Sequence, residues 1–295
     1  MKLAHYGEDR LIAELTKSLR TDASVRTGIG DDCAVIGGRR DKTWTLLKTD
    51  CIVEGIHFLP DTEPRRIGWK ALARAISDIA AMGGLPCHAL VTIAVSPEVE
   101  VSRVKGIYAG LKKAAQRFDV SIVGGETSGS TGPLFISIAL TGMVEPARCV
   151  TRAGGRAGDL LYVTGLLGGS IGGRHLDFMP RVTEARWLSG NFRIRAMMDL
   201  SDGLGADLPR LARASGTGFE LFESQLPCGK GCTPRNAVTD GEDYELLFAI
   251  APRDATALES SWLKQFPKLR LTRIGQLNQK SKIKNQKSRG FDHFA

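Results

Sequence analysis

No apolar run in this chain approaches the ~20 residues that span a bilayer; the best stretches, such as 89–95, are strand-sized. Acids at Glu8 and Asp9 stand where a cleaved signal needs its apolar core, so a cytoplasmic location is expected. Cysteine is scarce and scattered: of six, only Cys228 and Cys232 are close, with no histidine or second pair nearby to complete a zinc site. They read as small buried or free thiols of a reducing compartment. Neither a Gly-x-x-x-x-Gly-Lys-Ser/Thr phosphate loop, a kinase-type catalytic loop nor a Gly-x-Ser-x-Gly nucleophile turn occurs. Acids are absent between 264 and 289, where nine of the 40 basic residues fall, so the net +8 becomes −1 for the rest of the chain. Basicity is thus a property of the tail, and no aromatic residue interleaves with its cations between 274 and 289 as nucleic-acid stacking would need. The tail reads as a solvated loop, and a nucleic-acid partner is not expected.

What is present suits one large or two ordinary globular domains: 295 residues, 42% hydrophobic and 24% charged. Apolar spacing predicts helices over 8–19, 64–82, 99–118, 206–215 and 255–266, the second opened by Pro64 and stopped by Gly83-Gly84. Strands are expected at Trp44–Val53, 87–95, 120–123 (ending at Gly124-Gly125-Glu126), 134–144, Leu160–Thr164, 243–250 and 270–274. Helices and strands alternate in both halves, giving an α/β or α+β class with a boundary near Pro146 and domains of 1–145 and 146–295.

The acids carry the chemical signal. Asp31 and Asp32 follow Gly28-Ile29-Gly30, Asp50 lies near a strand end, and Glu126 follows Gly124-Gly125. Asp199 and Asp202 bracket Ser201 before Gly203, and Asp78 sits in a helix among small alanines. Glycines beside strand ends let ligands approach the backbone. So many acids share one site only with cations between them, and hard oxygen donors suit magnesium with substrate phosphates. Taken singly, each has a plainer explanation. Asp78 can pair with Arg74 one turn earlier, Asp31 or Asp202 can cap a helix, and His57 can be an ordinary satisfied histidine.

In order and spacing the motifs do more together. They begin with Gly28-Ile29-Gly30-Asp31-Asp32-Cys33-Ala34, then Thr49-Asp50 ahead of Gly55-Ile56-His57-Phe58. Lys70-Ala71-Leu72-Ala73, Ser77-Asp78-Ile79-Ala80-Ala81-Met82-Gly83 and Gly124-Gly125-Glu126-Thr127 follow, with Thr151-Arg152 before Gly158-Asp159. Asp199-Leu200-Ser201-Asp202-Gly203-Leu204, Gly241-Glu242-Asp243-Tyr244-Glu245-Leu246 and Gly290-Phe291-Asp292-His293-Phe294 complete the set. Across nearly the whole chain this resembles the thiamine-monophosphate kinase family, in the superfamily of aminoimidazole ribotide synthetase and selenophosphate synthetase. The resemblance implies two α/β domains, the first pairing with a second subunit in a homodimer. It implies ATP-dependent phosphorylation of thiamine phosphate to thiamine diphosphate, with several magnesium ions. By position, Asp32, Thr49, Asp50, Asp78, Glu126, Asp199 and Asp202 are the implied metal ligands, Lys48 adding its backbone oxygen. Tyr108, Gly125, Arg152 and Ser201 are the implied ATP contacts, and His57, Glu242 and Phe291 the thiamine-phosphate contacts. The chain departs from the family where Glu126 replaces Asp, where Lys48 replaces Ser or Thr, and in short segments at 168–180 and 226–240.

The implied chemistry needs no general base, because a phosphate acceptor with a second pKa of ~6 is already an oxyanion at neutral pH. Two alternatives stand beside it. One is a sister enzyme that activates a carbonyl oxygen or selenide, although residues 1–20 lack the cysteine expected of selenophosphate synthetase. The other is a non-catalytic RNA-binding protein acting through the tail.

Overall fold

The computed structural model describes residues 3–279. Expectations placed on Phe291, the 290–294 motif and the basic residues at 280–289 lie outside the described residues. The first half holds a six-stranded sheet of β1 (Val25–Thr27), β2 (Ala34–Ile36), β3 (Trp44–Val53), β4 (Leu85–Val95), β5 (Ser121–Gly129) and β6 (Phe135–Val144). Its order is β1-β2-β3-β6-β4-β5. Only β4 and β5 run parallel, as the crossover through helix α3 (Val101–Phe118) between them requires. The second half holds a five-stranded antiparallel sheet of β7 (Leu160–Thr164), β8 (Ala196–Asp199), β9 (Gly218–Leu221), β10 (Leu246–Ile250) and β11 (Leu271–Asn278), in the order β8-β10-β7-β11-β9. The remaining α-helices are α1 (Glu8–Thr16), α2 (Pro64–Ala81), α4 (Val182–Asn191), α5 (Leu204–Ala214), α6 (Pro234–Thr239) and α7 (Ala255–Gln265). The class is mixed α/β with two sheets, as the sequence predicts.

Helix α2 links the halves. Pro64 opens it, and the Glu63 carboxylate caps it by accepting from the backbone N–H groups of Arg65 and Arg66. Its alanines let it lie buried on the first sheet, while Ala80 and Ala81 enter the apolar cluster of Tyr162 and Phe248 in the second. Helix α3 crosses it at two glycines. A Cβ on Gly68 would stand 1.9 Å from the Ile107 carbonyl oxygen, and one on Gly110 1.9 Å from that of Arg65.

Strand alternation sorts the first sheet into two faces. Leu46, Ile52, Val91, Ile136 and Ile138 point into the core. Lys48 and Asp50, in the same alternation as Leu46 and Ile52, share that side. The opposite face carries Leu47, Thr49, Leu90 and Met143 and is open. The pairing places Cys51, Ser137, Thr92 and Glu126 on one rung of this open face.

The structure corrects the sequence in several places. Strand β5 does not end at Gly124-Gly125-Glu126 but continues to Gly129, because backbone pairing with β4 carries it past the glycines. The glycine-flanked segment 27–38 contains β2, and α4 and β9 were not anticipated. Both are short, with polar or glycine positions that blur their periodicity.

Candidate active site

Asp32, Asp78 and Asp199 come from distant points of the chain, and one carboxylate oxygen of each lies within 4.8 Å of the others. The turn at Gly30 (φ +110°) precedes Asp32, the last turn of α2 carries Asp78, and Asp199 ends β8. All three are buried. Burial, then the neighbouring carboxylates, pushes Asp78 well above the usual carboxylate range and Asp199 up to about 7. Lys48, whose Nζ lies 3.0 Å from Asp78, partly offsets this for both, and the Arg152 guanidinium donates to Asp32. Ser77 Oγ donates to Asp199 at 2.5 Å. The second oxygen of Asp32 is buried and has no hydrogen-bond partner among the described residues. An orphaned carboxylate oxygen within a set of hard donors fits a magnesium-like cation.

Asp78 and Asp199 of the cluster line a cleft of about 590 Å³ whose walls also include Ile12, Ala13, Ile29 and Ala214. Asp50 enters the same cleft, paired with Arg74 Nε at 3.2 Å. The expected Arg74–Asp78 pair within α2 does not form, because each side chain finds a partner on β3 instead. Asp202 does not cap α5. Its carboxylate accepts from Arg210, and its backbone N–H donates to the buried Asp207 at 3.0 Å. Burial, then the charge of Asp202, pushes Asp207 up to about 7.

A second cleft of about 500 Å³ adjoins the first, and Arg74, Ser201, Asp202 and Tyr244 line both. Ile56, His57, Ile171 and Glu242 complete much of its wall. His57 Nδ1 accepts from the Val53 N–H at 3.0 Å. Tyr244 takes a left-handed backbone (φ +51°) and stacks its ring on Phe178, centroids 3.8 Å apart. Glu242, also left-handed (φ +61°), meets Lys70 Nζ at 2.5 Å and His175 Nδ1 at 2.8 Å. Burial opposes its charge, but these partners outweigh burial and bring its pKa down to about 2.

Residues 30–144 match the model of the AIR synthase related protein N-terminal domain, and residues 156–286 that of the C-terminal domain. A thiamine-monophosphate kinase of Rhodopirellula baltica is 40% identical over 271 residues, covering 86% of this chain and 85% of that one. The thiamine-monophosphate kinase of Aquifex aeolicus is 35% identical across 100% of both chains. A solved structure, AaThiL complexed with AMPPCP and TMP, superposes with a TM-score of 0.83 at 31% identity over 99% of each chain. This chain belongs to the thiamine-monophosphate kinase family.

Of the family positions picked out in the sequence, Asp32, Lys48, Asp50, Asp78, Asp199, Asp202, Arg152 and Ser201 gather around the first cleft, and His57 and Glu242 line the second. Lys48 contributes its side chain there, beyond the backbone role expected of it. Thr49, Gly125 and Glu126 lie on the first sheet away from both clefts of their own chain. Tyr108 is half-buried on α3 against the first core and lines neither. Functional residues of the clefts or their walls that were missed include Lys70, Arg74, His175, Arg210 and Tyr244. Lys70 and Tyr244 stood inside quoted motifs, but Arg74 and His175 carry no local signal.

Proposed function

We propose that this chain transfers the γ-phosphoryl group of ATP to thiamine phosphate, giving thiamine diphosphate. The junction of the two clefts supports this reading most directly: one is lined by acids of the cluster, the other by an acidic, partly aromatic wall. Asp32, Asp78 and Asp199, with Asp50 and Asp202 beside them, would hold magnesium. When bound, the metal neutralises phosphate charge and aligns in-line attack. The apolar side chains of Ile12, Ala13, Ile29 and Ala214 in the first cleft suit the base of the nucleotide. Lys48, Arg74, Arg152 and Arg210 surround the phosphate end with positive charge. Lys48, Arg74 and Arg152 each keep their proton, because burial is outweighed by their acidic neighbours (carboxylates for Lys48 and Arg152, Tyr244 and then carboxylates for Arg74), which raise all three pKa values. In the second cleft, the ionised Glu242 suits the cationic thiazolium and the Tyr244 ring suits a flat heterocycle. The acceptor oxygen is already an anion, so the side chains orient it and need not deprotonate it.

The same reading makes the protein a cytoplasmic homodimer with domains of 1–145 and 146–295, pairing through the open face of the first sheet. Leu47, Leu90 and Met143 are 39–46% exposed there, which is unusual for three large apolar side chains on one sheet. Thr49, Gly125 and Glu126 belong to this sheet, so pairing offers them a route to the partner's phosphate site. Among the described residues no helix is long and apolar enough to cross a membrane.

The test is product formation from ATP and magnesium with thiamine, thiamine phosphate and a purine-pathway precursor compared side by side. Thiamine diphosphate is expected from thiamine phosphate alone. Equal turnover of free thiamine, or turnover of the purine precursor alone, overturns the reading.

A further inference from the structure

Lys70 is fully buried on α2, and its ammonium has three neighbours. It donates to the His57 carbonyl oxygen at 2.5 Å and to Glu242 Oε2 at 2.5 Å, and lies 2.7 Å from His175 Nδ1. His57 and Glu242 each accept one of its protons, His175 closes on its third side, and Lys70 does not line the second cleft, so it does not itself meet a ligand. We infer that Lys70 is a positioning residue for substrate recognition: it fixes Glu242 so that the other carboxylate oxygen faces the cationic part of thiamine phosphate. The inference rests on the function proposed above.

The geometry separates this role from general stabilisation. A buried ion pair is an expensive way to hold two elements together, and an apolar pair of similar volume does so at least as well. Here the pair is spent on a residue whose main chain is already clamped. The Glu242 N–H donates to the Ser201 carbonyl oxygen at 2.6 Å, and Ser170 Oγ donates to the Glu242 carbonyl oxygen at 2.6 Å. Those bonds hold the left-handed backbone but leave the carboxylate free to rotate. Lys70 and His175 both converge on Oε2. Among the described residues Oε1 makes one long contact, 3.4 Å from the Tyr244 hydroxyl, and both residues line the second cleft. The carboxylate is therefore ionised, oriented and half unused. A cation is what such an oxygen binds. Lys70 comes from the first half of the chain and Glu242 from the second, so the recognising carboxylate is set only when α2 and the 240–244 loop are docked.

The experiment is a double-mutant cycle on the full chain with Lys70→Met, Glu242→Gln and the pair, reading KM for each substrate, kcat and Tm. Lys70→Met is expected to raise the KM for thiamine phosphate at least tenfold and leave that for ATP within twofold. Added to Glu242→Gln, it should change the thiamine-phosphate KM by less than twofold, because the residue it positions is already disabled. A purely structural role would move both KM values together or act equally in both backgrounds, and either result overturns the inference. So does a folded Lys70→Met protein with an unchanged thiamine-phosphate KM. If Lys70→Met does not fold, His175→Gln decides in the same cycle: a selective rise of threefold or more supports the inference, and no rise overturns it. Wild-type protein that does not use thiamine phosphate overturns the function and this inference with it. Wild-type activity with an insensitive cycle overturns the inference alone.

Discussion

Asp199 is 2% exposed and shares its surroundings with Asp32 and Asp78, so burial and like charge both disfavour its ionised form. Its pKa rises from 3.8 to about 7, which means the folded chain binds this proton more tightly than the unfolded chain. Stability from that proton is fully present below about pH 4 and is lost as the pH climbs through about 7. Asp207 behaves alike. Glu145 and Glu242, both brought down to about 2, change stability below that window, and Lys70, lowered to about 8, changes it above. In EDTA the Tm should therefore fall by several degrees between pH 5 and 8. Asp199→Asn should flatten that slope and raise the Tm at pH 8, while cutting kcat by more than ~100-fold as a lost electrostatic group can. Scanning calorimetry and turnover on the same samples check both; a variant that melts lower at pH 8 would show that Asp199 is a structural acid. Asp32 was legible beside Asp31 and the Gly28-Ile29-Gly30 turn, Asp199 from its spacing to Asp202-Gly203, and Asp78 only within its motif, whereas Asp207 carried no signal. Lys70 stood in the Lys70-Ala71-Leu72-Ala73 motif, but its role was not legible, because its partner Glu242 lies 172 positions away.

At the scale of elements, the site depends on where α2 is held, since it carries Lys70, Arg74, Ser77 and Asp78. The crossing with α3 fixes that position through backbone contact, and Gly110 is the tighter test because its own helix geometry would accept alanine. A methyl group there would meet the Arg65 carbonyl oxygen at 1.9 Å and the Trp69 backbone nitrogen at 2.8 Å, neither of which can rotate away. Gly110→Ala should cost about 1–3 kcal/mol by overpacking, against the modest gain that alanine gives an unconstrained helix. Urea unfolding measures it, and an unchanged midpoint would mean that the two helices slide apart freely. Helix α2 itself was readable to within a residue, from Pro64 at one end and Gly83 at the other. The course of β5 was not. Its glycines signal a turn locally, and only pairing with β4, a partner brought alongside by the α3 crossover, makes them strand.

At the scale of the molecule, one chain gathers most of the expected phosphate site yet leaves Gly125 and Glu126 on the first sheet, outside both clefts. The rung through Cys51, Ser137, Thr92 and Glu126 lies on the face where Leu90 and Met143 are open, so in the homodimer proposed above covering that face would also engage Glu126. Two-fold pairing would place the glutamate of each chain near the acids of the other. Leu90→Glu together with Met143→Glu should then give monomers by light scattering, with the far-ultraviolet spectrum retained and activity lost. Complementation is the sharper measurement. Glu126→Ala and Asp202→Asn should each be inactive alone. If Glu126 serves its partner's site, a heterodimer carries one site with both lesions and one with neither. Random reassortment of an equimolar mixture then restores about a quarter of wild-type activity. If Glu126 serves its own chain, every site in every dimer keeps one lesion and the mixture stays inactive. A fully active Glu126→Ala protein would remove the carboxylate from the mechanism and leave the open face to explain by packing alone.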